Sequence, residues 1–427
     1  MNAKQTKEFL LSGGLDDVLR RLYGEDALER QKRRYSSALD TFAKEYGRDR
    51  SVRFFSISGR SELSGNHTDH NGGCVIAAAV DLDLLAVASA AEGTVIRLSS
   101  EGYGEERVDF SVYVQPKESL FGTSASLIAG VCAGFSERGY RVGAFDAYVT
   151  SDVWKGSGLS SSAAFENAVG SIFNHLYNGG RVNNTELAQI SQEAENQFFG
   201  KPCGRMDQIA CAVGGVVAID FADGDHPVIE AIPLDLQKEG YSLCIVNTGG
   251  SHADLTEDYA SIPSDMRSVA QALGKDFLRQ VGEEELIAAL PTLRVSLGDR
   301  ALLRAFHFLR ENQRVERQKA ALRRADFSCF LREVRESGLS SFCYLQNVYT
   351  VKAPEEQGLS LGLCMAEAYL LDRGGVCRVH GGGFGGTIQA FVPIGEAHGF
   401  RRWMEQVFGA GSCLILRIRS EGALCLL

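Results

Sequence analysis

The chain has 427 residues, 44% of them hydrophobic, and its 54 acidic and 44 basic side chains leave a formal net charge of −10. That length accommodates two or three domains with full cores. No apolar run is long enough to span a membrane, and the negative balance gives nucleic-acid binding no electrostatic support, so an anionic substrate needs local basic residues or a metal.

Residues 1–50 read as a helical arm. Leu15, Val18, Leu19 and Leu22 share one face, and an amphipathic run follows over 35–46. From residue 51 the texture changes to strands: 52–58, then 74–90, then an alternating stretch over 108–114. A helix is expected over 124–138, a strand over 143–153, a helix over 185–199 that ends before Gly200 and Pro202, and a strand over 213–220. Glycine, proline and acidic residues around 223–233 suggest a boundary. The expected division is an arm at 1–50, a first lobe at 51–225 and a second lobe at 226–427. In the second lobe we expect a strand over 241–246, a turn at Gly249 and Gly250, helices over 286–316 and 317–336, strands over 376–380 and 387–392, and a last strand over 414–419. This mixture describes an α+β protein of two lobes, each with a mostly antiparallel sheet. The eleven cysteines are odd in number and show no C-x-x-C pair. With no signal-peptide core at the start of the sequence, they imply buried free thiols in the cytoplasm.

Four stretches carry chemistry. The most telling is the loop Gly156, Ser157, Gly158, Leu159, Ser160, Ser161, Ser162. Its glycines allow close backbone approach, and its serines open a helix whose apolar face runs through Ala164, Val169, Ile172 and Leu176. Unpaired N–H groups and the positive end of the helix dipole favour an anion there, and phosphate is the usual one. A helix cap needs one hydroxyl; three in a row behind G-x-G exceed that need. The second stretch, 204–208, places Asp207 between Met206 and Ile209 after a helix carrying Glu193 and Glu195. A carboxylate in apolar company wants a partner. One acid near a phosphate loop can hold Mg²⁺, and another can take a hydroxyl proton.

The third stretch, 59–73, is the densest polar run in the chain. Its Asn, His, Asp and Arg offer directional donors and acceptors for a polyol; the spacing of His67, Asp69 and His70 argues against a metal. The fourth contains G-x-G-x-x-G at Gly381, Gly383 and Gly386. It precedes a strand rather than a helix, which rules out a dinucleotide fold and points to close backbone approach to a ligand or to the first loop. Walker A and protein-kinase motifs are absent.

Together these stretches resemble the GHMP small-molecule kinases, and within them the galactokinases. Residues 59–73 are similar to the signature G-R-x-N-L-x-G-E-H-T-D-Y-N-G-G, 156–163 to the G-x-G-L-S-S-S-A phosphate loop, 203–208 to C-G-x-M-D-Q, and 381–386 to G-x-G-F-G-G. The resemblance covers about residues 36–427. It implies a two-lobed fold, with an N-terminal lobe like domain 2 of ribosomal protein S5, a ferredoxin-like C-terminal lobe, and ATP and sugar in the cleft between them. It implies transfer of phosphate from ATP to the anomeric hydroxyl of a galactose-like sugar. By motif position, Asp207 would be the catalytic carboxylate and Arg60 its cationic partner. Ser162 and Glu195 would hold Mg²⁺, the residues 156–162 would bind ATP, and Asn66, His67, Asp69, Gly204 and Tyr259 would line the sugar site with Arg60 and Asp207. Sugar and ATP are the only partners expected, with no nucleic acid or membrane, and a monomer is the favoured state.

Three departures fall at the sugar end. Asn66 stands where the signature has Glu, Glu62 where it has Asn, and His70 where it has Tyr. Trp154 and Lys155 precede the phosphate loop, Arg205 adds a cation beside Asp207, and Gly338 follows Ser337 where the family tends to have His. They leave open a kinase for a relative altered at C6, such as galacturonate or L-arabinose. A catalytically silent sugar sensor is a further alternative, against which the retention of Asp207, Arg60, Glu195 and Ser162 argues.

Overall fold

The computed structural model describes residues 1–113, 115–154, 158–249 and 255–427. Val114, the Lys155, Gly156 and Ser157 of the glycine-serine loop, and Gly250 of the expected turn lie outside the described residues.

The arm forms α1 (Ala3–Leu11), α2 (Asp16–Tyr23) and α3 (Leu28–Tyr46). Its apolar face, including Leu19, Leu22, Tyr35 and Phe42, packs on Phe54, Leu85 and Val87 of the adjoining sheet. One buried carboxylate ties it down: Asp83 accepts from Tyr23 Oη over 2.7 Å and from Arg34 Nη1 over 2.6 Å.

The chain then runs β1 (Arg53–Ser64), β2 (Cys74–Ala90), β3 (Val95–Ser100), β4 (Glu105–Asp109), α4 (Ser124–Glu137), β5 (Phe145–Ser151), α5 (Ser161–Tyr177), α6 (Asn184–Glu193), α7 (Met206–Val213), β6 (Val216–Asp220) and β7 (Val228–Ile232). It continues through β8 (Tyr241–Asn247), α8 (Thr256–Ala272), α9 (Glu283–Arg323), α10 (Phe327–Ser340), α11 (Gly358–Leu370), β9 (Val376–Val379), β10 (Thr387–Pro393), α12 (Ala397–Phe408), β11 (Cys413–Leu416) and β12 (Ala423–Leu426). The larger sheet has the order β12-β1-β2-β5-β3-β4. The 17-residue β2 serves two neighbours on one side: Leu84–Ala90 pairs with β5, and Cys74–Ala78 with β6, which in turn pairs with β7. The smaller sheet, β11-β8-β10-β9, is antiparallel throughout. Helices α4 to α7 cover one face of the larger sheet, with Phe135, Ile172, Phe173 and Ile209 in the shared core.

Several boundaries differ from expectation for local reasons. The strand expected over 108–114 is β4 and stops at Asp109, whose Oδ1 accepts from the Ser111 amide over 3.0 Å and from its hydroxyl over 2.6 Å, a side-chain turn that ends the pairing. The strand over 213–220 starts at Val216 because Gly214 and Gly215 both take positive φ. The two helices expected over 286–336 break at Ala325, which has a φ of 54°, rather than at 316, and α9 kinks at Gly298. Among the described residues three strands lie beyond the expected set, β3, β7 and β12, and all belong to the larger sheet, so that sheet extends past residue 225 and takes an edge from residues 423–426.

Candidate active site

A cavity of about 1180 Å³ opens between the lobes, lined by β1, the loop after it, Gly158 of the loop before α5, the segment before α7, α8, and the glycine cluster before β10. The register of β1 against β2 slips between Ser58 and Arg60. A Cβ at Gly59 would stand 3.0 Å from the Leu159 carbonyl, so glycine lets the phosphate loop lie against the strand. The Arg60 amide then donates to that carbonyl over 3.1 Å. A bulge of this kind re-aims the side chains that follow it. Arg60 and Glu62, two residues apart on one face, both reach the cavity wall.

Asp207 lies in the first turn of α7. Arg60 Nε and Nη2 stand 2.8 and 2.7 Å from Asp207 Oδ1, and Ser160 Oγ donates to Oδ2 over 2.5 Å. Arg60 also donates through Nη1 to the Gly158 carbonyl. Burial pushes the Asp207 carboxyl upward, but the Arg60 charge and the Ser160 hydrogen bond outweigh it and hold the group below the ordinary carboxylate range. Its side chain is 32% exposed, against 7% for Arg60, so the carboxylate is the partner that faces the cleft.

Ser160 occupies the N-cap position of α5 with left-handed angles, φ 61° and ψ 56°, and its hydroxyl goes to Asp207 rather than to the helix. The amides of the first turn of α5 are thus left without a side-chain cap, which suits an anion. Leu159 is fully buried and anchors the loop in the core. Gly158 and Gly381 meet back to back: a Cβ on Gly381 would stand 3.5 Å from the Gly158 Cα, so the second glycine cluster does approach the first loop.

Ser162 and Glu195 come together, with Oγ donating to Oε1 over 3.3 Å. Glu195 sits in a π turn (Ala194–Phe198) that extends α6; Glu193, before it, faces outward and pairs with Arg138 at 2.7 Å. The wider turn rotates one acid inward, a device common at functional sites. Lys201 Nζ reaches Glu195 Oε1 over 2.8 Å, and Gln208 Nε2 bridges Glu195 Oε2 and the buried Glu166 Oε2 at 2.7 and 3.1 Å. Burial first, and then the charge of Glu195, raise the Glu166 carboxyl well above its usual range. Its Oε1 is buried without a hydrogen-bond partner among the described residues. This hard oxygen set fits Mg²⁺, which takes one or two carboxylates and completes its shell with phosphates and water.

Of the residues expected to meet the sugar, His67, Asp69, Gly204 and Tyr259 all line the cavity. His67 adopts φ 57° and donates from Nε2 to the Gly382 carbonyl over 2.8 Å; burial foremost lowers its pKa to about 3, so it is neutral. A Cβ on Gly204 would fall 1.9 Å from Asp69 Oδ2, so any larger residue there would have to push that carboxylate aside. Tyr259 donates from Oη to the Gly383 carbonyl over 2.9 Å and meets Phe384 edge-on. Asn66 differs: it is fully buried, is not among the lining residues, and spends its amide on Gly381, Glu62, Ser341 and Asn347. Arg205 turns to Gln192 Oε1 at 2.8 Å and to the Asp225 carbonyl at 3.3 Å. Sequence reasoning missed Arg378, which is fully buried and pairs with Glu62 at 2.6 Å. A charge inside the apolar strand Val376–Val379 was the available signal, because a buried charge needs a counter-ion.

Two lobes about a cleft, a glycine-serine loop on a helix start, and an ion-paired carboxylate opposite that loop define a GHMP small-molecule kinase. Solved structures of that architecture superpose well. A Lactococcus lactis galactokinase complexed with galactose matches at TM-score 0.77 and 23% identity over 91% of this chain and 99% of its own. A Methanococcus jannaschii mevalonate kinase matches at TM-score 0.61 and 13% identity over 87% and 98%. The family model for the GHMP kinases N terminal domain matches residues 126–215, and the galactokinase galactose-binding signature matches residues 40–90. A galactokinase from Actinobacillus pleuropneumoniae serotype 5b is 31% identical over 86% of this chain and 91% of its own length. The human galactokinase is 31% identical over 92% and 97%. The chain belongs to the galactokinase family. It is therefore a sugar kinase using ATP as co-substrate, and no helix among the described residues is long and apolar enough to cross a membrane.

Proposed function

We propose that the protein transfers the γ-phosphoryl group of ATP to the anomeric hydroxyl of galactose, yielding galactose 1-phosphate and ADP. The observation that carries this reading is the Arg60–Asp207–Ser160 constellation on the cavity wall, with the carboxylate exposed to the cleft. Phosphoryl transfer asks the protein mainly for positioning and charge neutralisation. In this reading His67, Asp69, Gly204 and Tyr259 shape the sugar pocket. Asp207 orients the anomeric hydroxyl and takes its proton as the oxygen bonds to phosphorus and the bond to ADP breaks. Arg60 keeps Asp207 ionised and offsets charge on the transferring group. The loop residues through Ser162 cradle the phosphates with backbone amides. Ser162 and Glu195 are the residues that would hold Mg²⁺, which when bound neutralises phosphate charge.

We take the arm as residues 1–50 and the first lobe as starting at 51. The pairing of β7 favours moving the start of the second lobe from 226 to just after Ile232. A monomer in the cytoplasm remains our reading for state and location. The experiment is ADP release across galactose, galacturonate, L-arabinose and glucose. Preferred turnover of galactose is expected. Preference for a C6-altered sugar would redirect the substrate, and no turnover of any sugar would leave a sensor.

A further inference from the structure

The signature stretch contains two departures that mirror each other. Where the resembled pattern has Asn four residues before Glu, this chain has Glu62 four residues before Asn66. The two side chains touch, Asn66 Nδ2 donating to Glu62 Oε1 over 3.2 Å. An exchange between touching positions moves a carboxylate a short way without changing the charge of the pocket. The surroundings match the exchange. Asn66 has both ends of its amide engaged by protein groups and no exposure, so nothing is left for a ligand. Glu62 lines the cavity and keeps 4% exposure. Arg378 holds its Oε1 at 2.6 Å. Among the described residues no hydrogen bond is made to its Oε2, and Glu62, unlike Asn66, is part of the cavity wall. The room for Arg378 depends on a third departure: a Cβ on Gly338 would stand 3.0 Å from the Arg378 Cβ.

We propose that Glu62, braced by Arg378, is the residue that reads an outer hydroxyl of a neutral sugar in this chain, and that Asn66 has become its buried support. The proposal rests on the galactose-phosphorylating reading of the site. A carboxylate accepts from a hydroxyl and repels a sugar acid, so the substrate class is a neutral hexose rather than its C6 acid. L-Arabinose, which lacks the C6 group, forgoes the contact.

The test measures kcat and KM for galactose, L-arabinose and galacturonate in wild type, Glu62→Asn, Asn66→Glu and the double variant. Glu62→Asn is expected to raise the galactose KM about 10–100-fold, the scale of one hydrogen bond to a charged group, and to change L-arabinose by less than about 3-fold. Asn66→Glu alone sets two buried carboxylates side by side and is expected to melt early. The double variant is expected to regain stability and to bring galactose kcat/KM back to within about 5-fold of wild type, because coupled sites are not additive. An unchanged galactose-to-arabinose ratio in Glu62→Asn, or a double variant no better than Glu62→Asn, would overturn the exchange while leaving the galactose reading intact. A wild type that turns over no galactose would overturn that reading, and the exchange with it.

Discussion

Replacing Asp207 with asparagine removes a charge and keeps a shape. The amide oxygen can take the place of Oδ1 before Arg60, which supplies two donors at 2.8 and 2.7 Å. The amide nitrogen then faces Ser160, whose hydroxyl can turn from donor to acceptor at the same position. Binding of sugar and ATP should therefore stay within a few-fold of wild type. Turnover should fall about 100-fold or more, the scale of losing a general base. The stranded Arg60 has a cost of its own. Its side chain is 7% exposed, yet the site it faced is a third open to solvent, so the loss is about 1–3 kcal/mol, seen as a Tm lowered by a few degrees. Adding Arg60→Met removes the unpaired cation; it should recover part of the Tm and none of the turnover. Single-turnover ADP release, with sugar binding followed by calorimetry, separates the terms. The argument is refuted if Asp207→Asn turns over near the wild-type rate, or if the second substitution restores activity along with stability. The same pair sets the pH response. Arg60 outweighs burial and holds the Asp207 carboxyl low, so the acid limb of kcat/KM lies low in wild type. In Arg60→Met burial acts unopposed by that charge, and the limb should move to higher pH.

Glu195→Gln and Ser162→Ala should each raise the Mg²⁺ concentration needed for half-maximal rate far more than the sugar KM; a change confined to the sugar KM would misplace both residues. Gly204→Ala forces the Asp69 carboxylate aside, since the new Cβ would sit 1.9 Å from it, and should raise the sugar KM about 10–100-fold while sparing the ATP KM. Glu311 is buried. Burial opposes its charge, but Arg314, His307 and Arg378 bring its pKa down from 4.5 to about 2. A lowered acid pKa stabilises the fold above the unfolded value and loses that contribution as pH falls through the folded one. About 3 kcal/mol should therefore disappear between about pH 4.5 and 2, and Glu311→Gln should melt lower at pH 7 with a flatter acid response.

The glycine-serine loop at a helix start and the need of Asp207 for a partner were legible because each motif is contiguous and its chemistry is local. Gly156, Gly158 and the serines name an anion site by type alone, and Asp207 between apolar neighbours asks for the cation that Arg60 supplies. The use of Ser160 was not legible, since one residue in left-handed angles sends a hydroxyl to Asp207 that a helix cap would have used. Asn66 was placed on the sugar by position, but its burial depends on Ser341, Asn347 and Gly381, which are distant in sequence and meet it only in the fold. The choice of Glu195 over Glu193 rests on a single π turn, which no side-chain pattern announces. Elements with strong period and caps, such as α4 and β2, fell close to where they were expected. Ends governed by one turn residue, such as Asp109 and Ala325, did not.

The pairing of β12 with β1 has a consequence for biosynthesis. Phe54 of β1 lies opposite Leu426, and Ile57 opposite Ala423. On a ribosome working at about 5–20 residues per second, β1 waits roughly 20–70 seconds for this neighbour, because some 360 residues separate the two strands. During that interval the larger sheet has an open edge carrying Phe54 and Phe55, a template for pairing with another nascent chain. The arm is made before the sheet and packs on Phe54, so it shields one face while the edge stays open. Arg419, just before β12, donates to the Ser56 carbonyl and hydroxyl and lies 3.6 Å from Asp83, the carboxylate that already holds Tyr23 and Arg34. Closure of the sheet and the arrival of a second arginine beside Asp83 are thus a single late event, and the first lobe is finished only after the second has been translated.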